Sequence, residues 1–521
     1  MPAATAAAAP TLRYADAPKA EAPLRSLLDD MLAGPVGQSD SAESGRLRAF
    51  REAATPAEAV EHWLGRVPRG EADVRRVKRR IAADRGRIDA LLCRQVNAVL
   101  HHPKFQELES AWRGLQMLFR AKTRHSDETF AEGGADVVLR VMDVSRAELI
   151  KDFDRARDET DNHLFRTVYD QEFGMPGGKP FGAIVSAHRF TNHVQDFELL
   201  ANLARVGEAS LCPILAGADP GLLGLDSFEE LGKPLNLQHI FDGPRHKGWE
   251  RLRERPETQF LGLTLPRVLM RPPHRDDGTG KFGFRFEEDV RGRDGSKYLW
   301  GSAAFAMGTV LIRAFSEHRW FADIRGSHRQ GVGGGMVGDL PALDVGTDSR
   351  GVALRPAVEV TVDDFQEAVL CENGLIPVAD AKDSPYAVFY SNQSVHRPAK
   401  YDDEAATANA RVAAMLQYVL CGCRVGHYLK VMMRDHVGTF ASAMEMETMV
   451  SNWVHRYVSG QSASADAKAE YPLAKARVDV QEVPGSPGKY RMELHLLPHY
   501  QLDQLTSTMS LTVRDVSLTG G

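Results

Sequence analysis

The sequence lacks the features that mark secreted, membrane-spanning and nucleic-acid-binding proteins. It has only five cysteines in 521 residues, an odd number without framework spacing, which indicates a reducing compartment and not a disulfide scaffold. No apolar run reaches the roughly 18 residues of a membrane-spanning helix. The Ala-rich first ten residues have neither a basic start nor a leucine-rich core, so we expect no signal peptide. These absences predict a cytoplasmic protein without stable membrane insertion.

Charge and composition narrow the class further. The formal net charge of -6 and the pI near 6.3 argue against a dedicated nucleic-acid-binding protein, whose domain is usually basic. With 43% hydrophobic and 26% charged residues, the composition is that of an ordinary globular protein. A chain of this length has room for about three domains, which can bury several cores without disulfides or metals.

Compact catalytic and metal-binding motifs are also missing. The glycine-rich segment 331–339 lacks the Gly-Lys-Ser/Thr ending of a P-loop, and no GxGxxG joins a strand to a helix. Cys421 and Cys423, with His427 nearby, suggest a zinc site, but side chains two apart on a helix point about 200° apart. We interpret both cysteines as buried small residues. Since HExxH and GxSxG are absent too, we predict a non-enzyme without catalytic residues, metal or cofactor.

The first 60 residues are rich in alanine, proline, serine and charge, which is typical of a mostly disordered extension. One short helix is predicted within it, because five apolar side chains fall on one helical face and Gly34-Pro35 closes the segment. These side chains are Leu24, Leu27, Leu28, Met31 and Leu32. The segment is either a linear docking motif or a helix that packs on its own protein.

Residues 61–130 are predicted to form a helical, partner-binding region. Apolar residues recur at three- and four-residue steps between positions 74 and 99, which builds one apolar face. Its members include Val74, Val77, Ile81, Ile88, Leu92 and Val96. Five basic residues between positions 75 and 80 surround its first turns. Such a run marks a solvated face, an acidic protein partner or nucleic acid, and the acidic chain favours a protein partner over nucleic acid.

Residues 131–390 alternate between strand and helix patterns. We predict strands at residues 137–144, 182–187, 209–216, 259–265 and 357–362, and helices at residues 146–157, 197–206 and 299–318. Such alternation is typical of α/β layers. A central sandwich of mixed sheet flanked by helices is therefore expected.

Residues 391–521 begin with predicted helices at 405–434 and 440–457 and then change to a period of two. The alternating apolar residues are Val478, Val480, Tyr490, Met492 and Leu494 around a Pro/Gly turn, followed by Leu511 and Val513 near the end. This pattern predicts a β-hairpin plus a terminal strand. A hairpin alone is marginal in water, so its further strands must come either from its own domain or from neighbouring subunits. The fold class is α/β (mixed α+β), with an extension (residues 1–60), a helical region (61–130), a central domain (131–390) and a C-terminal domain (391–521).

Five segments in order along the chain carry recognisable motifs. They are residues 101–115 (HHPKFQELESAWRGL), 260–267 (FLGLTLPR), 298–301 (YLWG), 406–411 (ATANAR) and 498–502 (PHYQL). Together they resemble the large subunit of the type VI secretion contractile sheath, the TssC, VipB or EvpB family. Residues 186–190 read SAHRF where that family usually reads G-D-Y-x-F, and the N-terminal extension looks long. These departures indicate a divergent sheath and not a different fold.

The resemblance implies a structural subunit that pairs with a small sheath subunit (TssB/VipA family). It also implies six-membered rings of such pairs, including copies of this chain, stacked around an inner tube (Hcp family). A baseplate would start this polymer, and a ClpV-type AAA+ unfoldase would recycle it. We therefore assign the Leu24–Leu32 segment to unfoldase docking, the apolar face at 74–96 to the small subunit, and the C-terminal strands to inter-subunit pairing. Another phage-tail-like sheath, a nucleotide-dependent α/β enzyme and a nucleic-acid binder are the alternatives.

Overall fold

The computed structural model describes most of the chain in two compact units. The described residues are 28–29, 41–65, 70–130, 137–157, 161–276, 278, 283–291, 295–328, 331–338, 340–341, 358–381, 384, 386–436, 442–460, 464–482 and 490–499. One unit comprises Met1–Val99 with His274–Glu288, and the other comprises Leu100–Pro273 with Asp289–Gly521. The domain limits inferred from the sequence stay a prediction.

The first unit is helical, in agreement with the pattern from residue 56 onward. Its helices are α1 (Ser41–Glu52), α2 (Pro56–Leu64) and α3 (Gly70–Leu100). The Thr55 hydroxyl caps α2 by accepting from the Glu58 amide, and Gly65 ends that helix in the left-handed region. Residues 285–287 contact the last turns of α3, where Cys93 Sγ donates to the Arg285 carbonyl at 3.1 Å and Asn97 Nδ2 donates to the Glu287 carbonyl at 3.3 Å.

The second unit contains the remaining elements. Its helices are α4 (Pro103–Phe130), α5 (Arg146–Arg155), α6 (His163–Phe165, continued by a π-helix at Arg166–Phe173), α7 (Val194–Ser210), α8 (Leu237–Phe241), α9 (Lys247–Arg253), α10 (Ala303–His318), α11 (Asp364–Glu372), α12 (Glu404–Ala413), α13 (Leu416–Asp435), α14 (Ala443–Val454) and α15 (Ala465–Glu470). Its strands are β1 (Ile184–Phe190), β2 (Ile214–Ala218), β3 (Leu261–Leu265), β4 (Val268–Leu269), β5 (Trp300–Gly301), β6 (Met336–Val337), β7 (Ile376–Pro377), β8 (Ala379–Asp380), β9 (Ala387–Val388), β10 (Leu473–Glu482) and β11 (Tyr490–Pro498).

A parallel sheet in the order β1-β2-β3-β7 forms the centre of this unit. Alternate residues of its strands face two different cores, because successive side chains point to opposite faces. Ile214 and Ala216 of β2 face the core that contains α7, whereas Leu215 faces the core that contains α10. The mixed α+β class is thereby confirmed. Antiparallel pairing is confined, among the described residues, to small sheets and isolated bridges.

Two predicted strands and one predicted helix differ from the structure. Residues 137–144 are irregular, because Val137 and Leu139 pack on one core and Val144 on the other without joining a ladder. In that segment, the described residues 358–362 contribute an isolated bridge from Val358 to Val268 and a hydrogen bond from the Glu359 amide to the Arg267 carbonyl at 2.9 Å. The helix predicted for 405–434 is two helices, α12 and α13, which are separated by Ala414 and Met415.

Candidate assembly surfaces

One side of α3 carries a row of exposed aliphatic side chains, which we call the α3 stripe. It comprises Val74, Ile81, Ile88, Leu92 and Val99, which are 37% to 55% exposed. Two other residues predicted for this face differ: Val77 is buried and Val96 is half-buried. The first three members stand at seven-residue steps, the spacing with which a helix meets another helix in a coiled coil. Most of the predicted small-subunit surface therefore faces solvent.

Four basic residues of α3 differ in their surroundings. Arg80 and Arg87 pair with Asp84 at 3.2 and 3.5 Å, and this buried carboxylate also accepts from Trp63 Nε1 at 3.0 Å. Lys78 and Arg85, in contrast, are exposed and lie one helical turn from members of the α3 stripe. Positive charge therefore borders the exposed apolar row, while part of the basic run is used internally.

Two residues of the predicted docking helix are described, and one of them, Asp29, contacts α3. Leu28 is 6% exposed, and the Asp29 carboxylate pairs with Arg80 and, at 2.6 Å, with Arg87. The hydrogen bond with Asp29 is the largest cause of the raised pKa of Arg80. Leu24, Leu27, Met31 and Leu32 lie outside the described residues. The observed contacts attach this part of the segment to its own protein.

The C-terminal hairpin has one face covered by helix α14. Its strands β10 and β11 are antiparallel, with Val478 opposite Leu494 and Val480 opposite Met492. Val478 and Val480 are buried against α14, and Met492 and Leu494 complete that apolar cluster. Tyr490 lies in β11, but its side chain is outside the described part of the structure, as are Leu511 and Val513. The predicted hairpin is present, and its apolar face packs within its own chain.

The outer edges of the hairpin differ from each other. The Val480 amide donates to Glu447 Oε2 of α14 at 3.4 Å, so it points away from β11. The Ser459 amide covers the start of the same edge by donating to the Leu473 carbonyl at 2.9 Å. In an antiparallel ladder, every second pair of residues points its amides outward. Leu494 pairs with Val478, which is two residues from Val480, so the Leu494 amide also points outward, on the edge of β11. Within the described residues, no third strand joins that edge.

The glycine-rich loop 331–338 is held by buried charged side chains. Arg313 donates to the carbonyls of Gly334 and, at 2.7 Å, of Met336, and Asp323 accepts from the Gly334 amide at 2.9 Å. Gly334 has a φ of +62°, and a Cβ there would lie 2.6 Å from the Gly326 carbonyl oxygen. Glycine is therefore required here for a tight turn.

The cysteines that suggested zinc are interior side chains. Cys421 and Cys423 are both buried, and burial raises the pKa of Cys421 to about 12. Burial also lowers the pKa of His427 to about 4. The thiols are therefore protonated at neutral pH in this interior. In the described part of the chain, no group of three or more His, Cys, Asp or Glu residues is arranged to hold a metal ion.

The motif at residues 101–115 builds the first half of α4, and part of it holds that helix in place. Glu109 receives two hydrogen bonds from Arg271, at 2.7 and 3.1 Å. Burial tends to raise the pKa of Glu109, but the bonds and charge of Arg271 outweigh burial and lower it. Gly114 lies against the Phe305 ring of α10, where a Cβ would approach within 2.3 Å of a ring carbon. A glycine therefore allows α4 to pack closely on α10.

The structure also exposes a surface that the sequence reading did not assign. Phe105, Leu108, Trp112 and Phe119 lie along α4 and are 36%, 57%, 66% and 44% exposed. The signal was present in their spacing of three, four and seven residues. It was missed because the same helix also has an apolar face for α10, and periodicity alone does not separate the two faces.

No helix within the described ranges has both the length and the apolar composition needed to cross a membrane. The surfaces that the two units expose are apolar rows on helices and an open strand edge, which are typical of proteins that assemble with other chains.

Comparison with known proteins agrees with this class. Residues 83–396 match the family described as EvpB/VC_A0108, tail sheath N-terminal domain, and residues 405–514 match its tail sheath gpW/gp25-like domain. The type VI secretion system sheath protein TssC1 of Pseudomonas aeruginosa is 39% identical over 428 residues, which cover 81% of this chain and 83% of that protein. A chain from a cryo-EM structure of the anti-feeding prophage baseplate has a TM-score of 0.38 and 11% identity, covering 72% of this chain and 83% of that one.

The matched domains define the class as a tail sheath protein. Within that class, the chain belongs to the EvpB/VipB family of type VI secretion sheath proteins, the large-subunit family that its motifs resemble. It is a structural subunit of the sheath.

Proposed function

We propose that this cytoplasmic chain pairs with a small sheath subunit of the TssB/VipA family through the α3 stripe. Pairs then form six-membered rings that stack on a baseplate around an inner tube of the Hcp family. Contraction of this polymer drives delivery, and a ClpV-type unfoldase recycles the contracted form. The role is mechanical, without catalysis or a cofactor, because a metastable extended polymer can release its energy through a packing transition.

The observation that carries the pairing is the exposed, heptad-spaced α3 stripe with its basic border. A single helix rarely leaves five large aliphatic side chains in one row in water unless a partner covers them. A partner helix with its own apolar row would bury them, and acidic residues beside that row would face Lys78 and Arg85. The small sheath subunit is the partner that the family membership suggests.

We propose further that β11 links neighbouring subunits. Its outward amides, including that of Leu494, can accept a strand from another chain, which satisfies backbone groups that a hairpin leaves open. Each such hydrogen bond contributes about 0.5–1.5 kcal/mol, so many weak links can hold rings together while subunits rotate.

Assembly with the small subunit provides the first test. The chain expressed alone should aggregate or remain unassembled, because the α3 stripe is exposed to water. Co-expression with the small-subunit gene from the same cluster should yield long tubes by negative-stain electron microscopy. A monodisperse chain that ignores this partner in co-purification would contradict the proposal.

Unfoldase docking provides the second test. The Leu28→Asp/Leu32→Asp variant should lose unfoldase binding in a pull-down assay but still assemble, because the carboxylates disrupt the apolar face of the docking segment and leave the α3 stripe and the C-terminal hairpin unchanged.

The matched control is Asp29→Asn. It removes the charge that pairs with Arg80 and Arg87 but leaves the apolar face intact. This control should bind the unfoldase at least as well as the wild type. Undiminished binding by the double aspartate variant would reject the assignment.

A further inference from the structure

Helix α4 carries a second exposed apolar row, the α4 stripe, formed by Phe105, Leu108, Trp112 and Phe119. The row lies opposite the buried face, where Gly114, Met117, Leu118 and Ala121 pack toward α10 and the core around it. The indole of Trp112 is 66% exposed, although tryptophan is one of the most costly side chains to leave in water. The row spans 15 residues, or about 21 Å of helix, which matches about four turns of one partner helix.

Residues of the recognised motif both anchor α4 and form the α4 stripe. Glu109 and Gly114 hold the helix on its own domain, through Arg271 and Phe305 respectively. The same motif also contains three exposed residues, Phe105, Leu108 and Trp112. Rows of exposed aromatic residues are typical of protein interfaces, where a few such residues contribute most of the binding free energy. The holding residues thus present the exposed ones on a rigid support.

Positive charge borders the α4 stripe. Lys104 and Arg120 are exposed on its two sides, and neither has an ion pair with a described residue. Arg113, by contrast, is occupied by Glu109 at 3.4 Å. A partner helix with an apolar row and acidic borders would therefore complement this surface. The α3 stripe, bordered by Lys78 and Arg85, requires the same chemistry.

We propose that the α4 stripe is a docking surface for an acidic amphipathic helix of the small sheath subunit. The inference rests on the proposed pairing and adds a second contact surface to it. An acidic amphipathic helix would complement each stripe, and the small subunit is the partner that the proposed function already requires. A second copy of this chain is the alternative that the test separates.

Photo-cross-linking in the co-expressed complex tests this assignment. A benzoylphenylalanine placed at Trp112 should cross-link to the small subunit, giving a product with the summed mass of one copy of each chain. The position control is Phe365 on α11, which is 71% exposed and lies off the stripe, and it should give no such product. A cross-link from position 112 to a second copy of this chain, or none at all, would overturn the proposal.

Charge reversal supplies a second measurement. Lys104→Glu/Arg120→Glu should lower the chain retained by a tagged small subunit about tenfold at low salt, with a smaller loss at high salt. The control Lys233→Glu/Lys247→Glu reverses two exposed charges elsewhere and should leave retention unchanged. Equal retention by both variants would also count against the inference. Failure of the wild-type chain to co-purify would instead contradict the proposed function itself.

Discussion

The Leu494→Pro variant is expected to pair with the small subunit but to form no tubes. The Leu494 amide points to the outer edge of β11, so proline there removes a donor for an incoming strand and not a bond within the hairpin. Because the linkage repeats in every ring, its loss is multiplied along the polymer. Electron microscopy should show isolated pairs or short fragments where the wild type forms long tubes.

Two controls separate this effect from simple destabilisation. Leu494→Ala removes the same side chain from the cluster on α14 but keeps the amide, so it should still form tubes. Val480→Pro should also impair tubes, but it additionally removes the bond to Glu447 and is therefore the less specific variant. Normal, contractile tubes from the Leu494→Pro chain would place the inter-subunit linkage elsewhere.

Pairing with the small subunit should fail when the α3 stripe is charged. In the Ile81→Glu/Ile88→Glu variant, two aliphatic contacts are replaced by carboxylates that a partner helix would have to bury. The side chains are already about three-fifths covered, at 39% and 38% exposed, so each contributes only about 1 kcal/mol more on binding. Loss of these two contacts alone should weaken binding about thirtyfold. Burying the new carboxylates should weaken it further. Co-purification with a tagged small subunit measures the result.

The chain offers a closely matched control for that variant. Ala83 and Ala90 are also seven residues apart and exposed, but they lie on the opposite side of α3. Ala83→Glu/Ala90→Glu therefore adds the same charge to the same helix without touching the stripe. It should pair normally. If the two double variants pair equally well, α3 is not the small-subunit surface.

The helices and the hairpin were largely predictable because their patterns are local. The seven-residue recurrence of Val74, Ile81 and Ile88 fits one face of one helix, and α3 follows it. The alternation around Val478 and Val480 likewise predicted β10. The strand predicted at 137–144 was wrong, because its apolar residues contact the cores from an irregular backbone. Strand pairing depends on a neighbouring strand, which a local sequence pattern does not contain.

The sequence by itself determined the mixed fold class, the family and the apolar faces, since these depend on residue order and period. Only the tertiary structure decided which faces stay exposed. Trp112 and Gly114 are two residues apart in one motif, yet one faces solvent and the other lies against Phe305. Asp29 and Asp84 likewise pair with Arg80, whereas Lys78 and Arg85 stay exposed. The physical reason is that burial depends on which distant elements cover a side chain. Periodicity predicts an apolar face, but it does not predict which element covers that face.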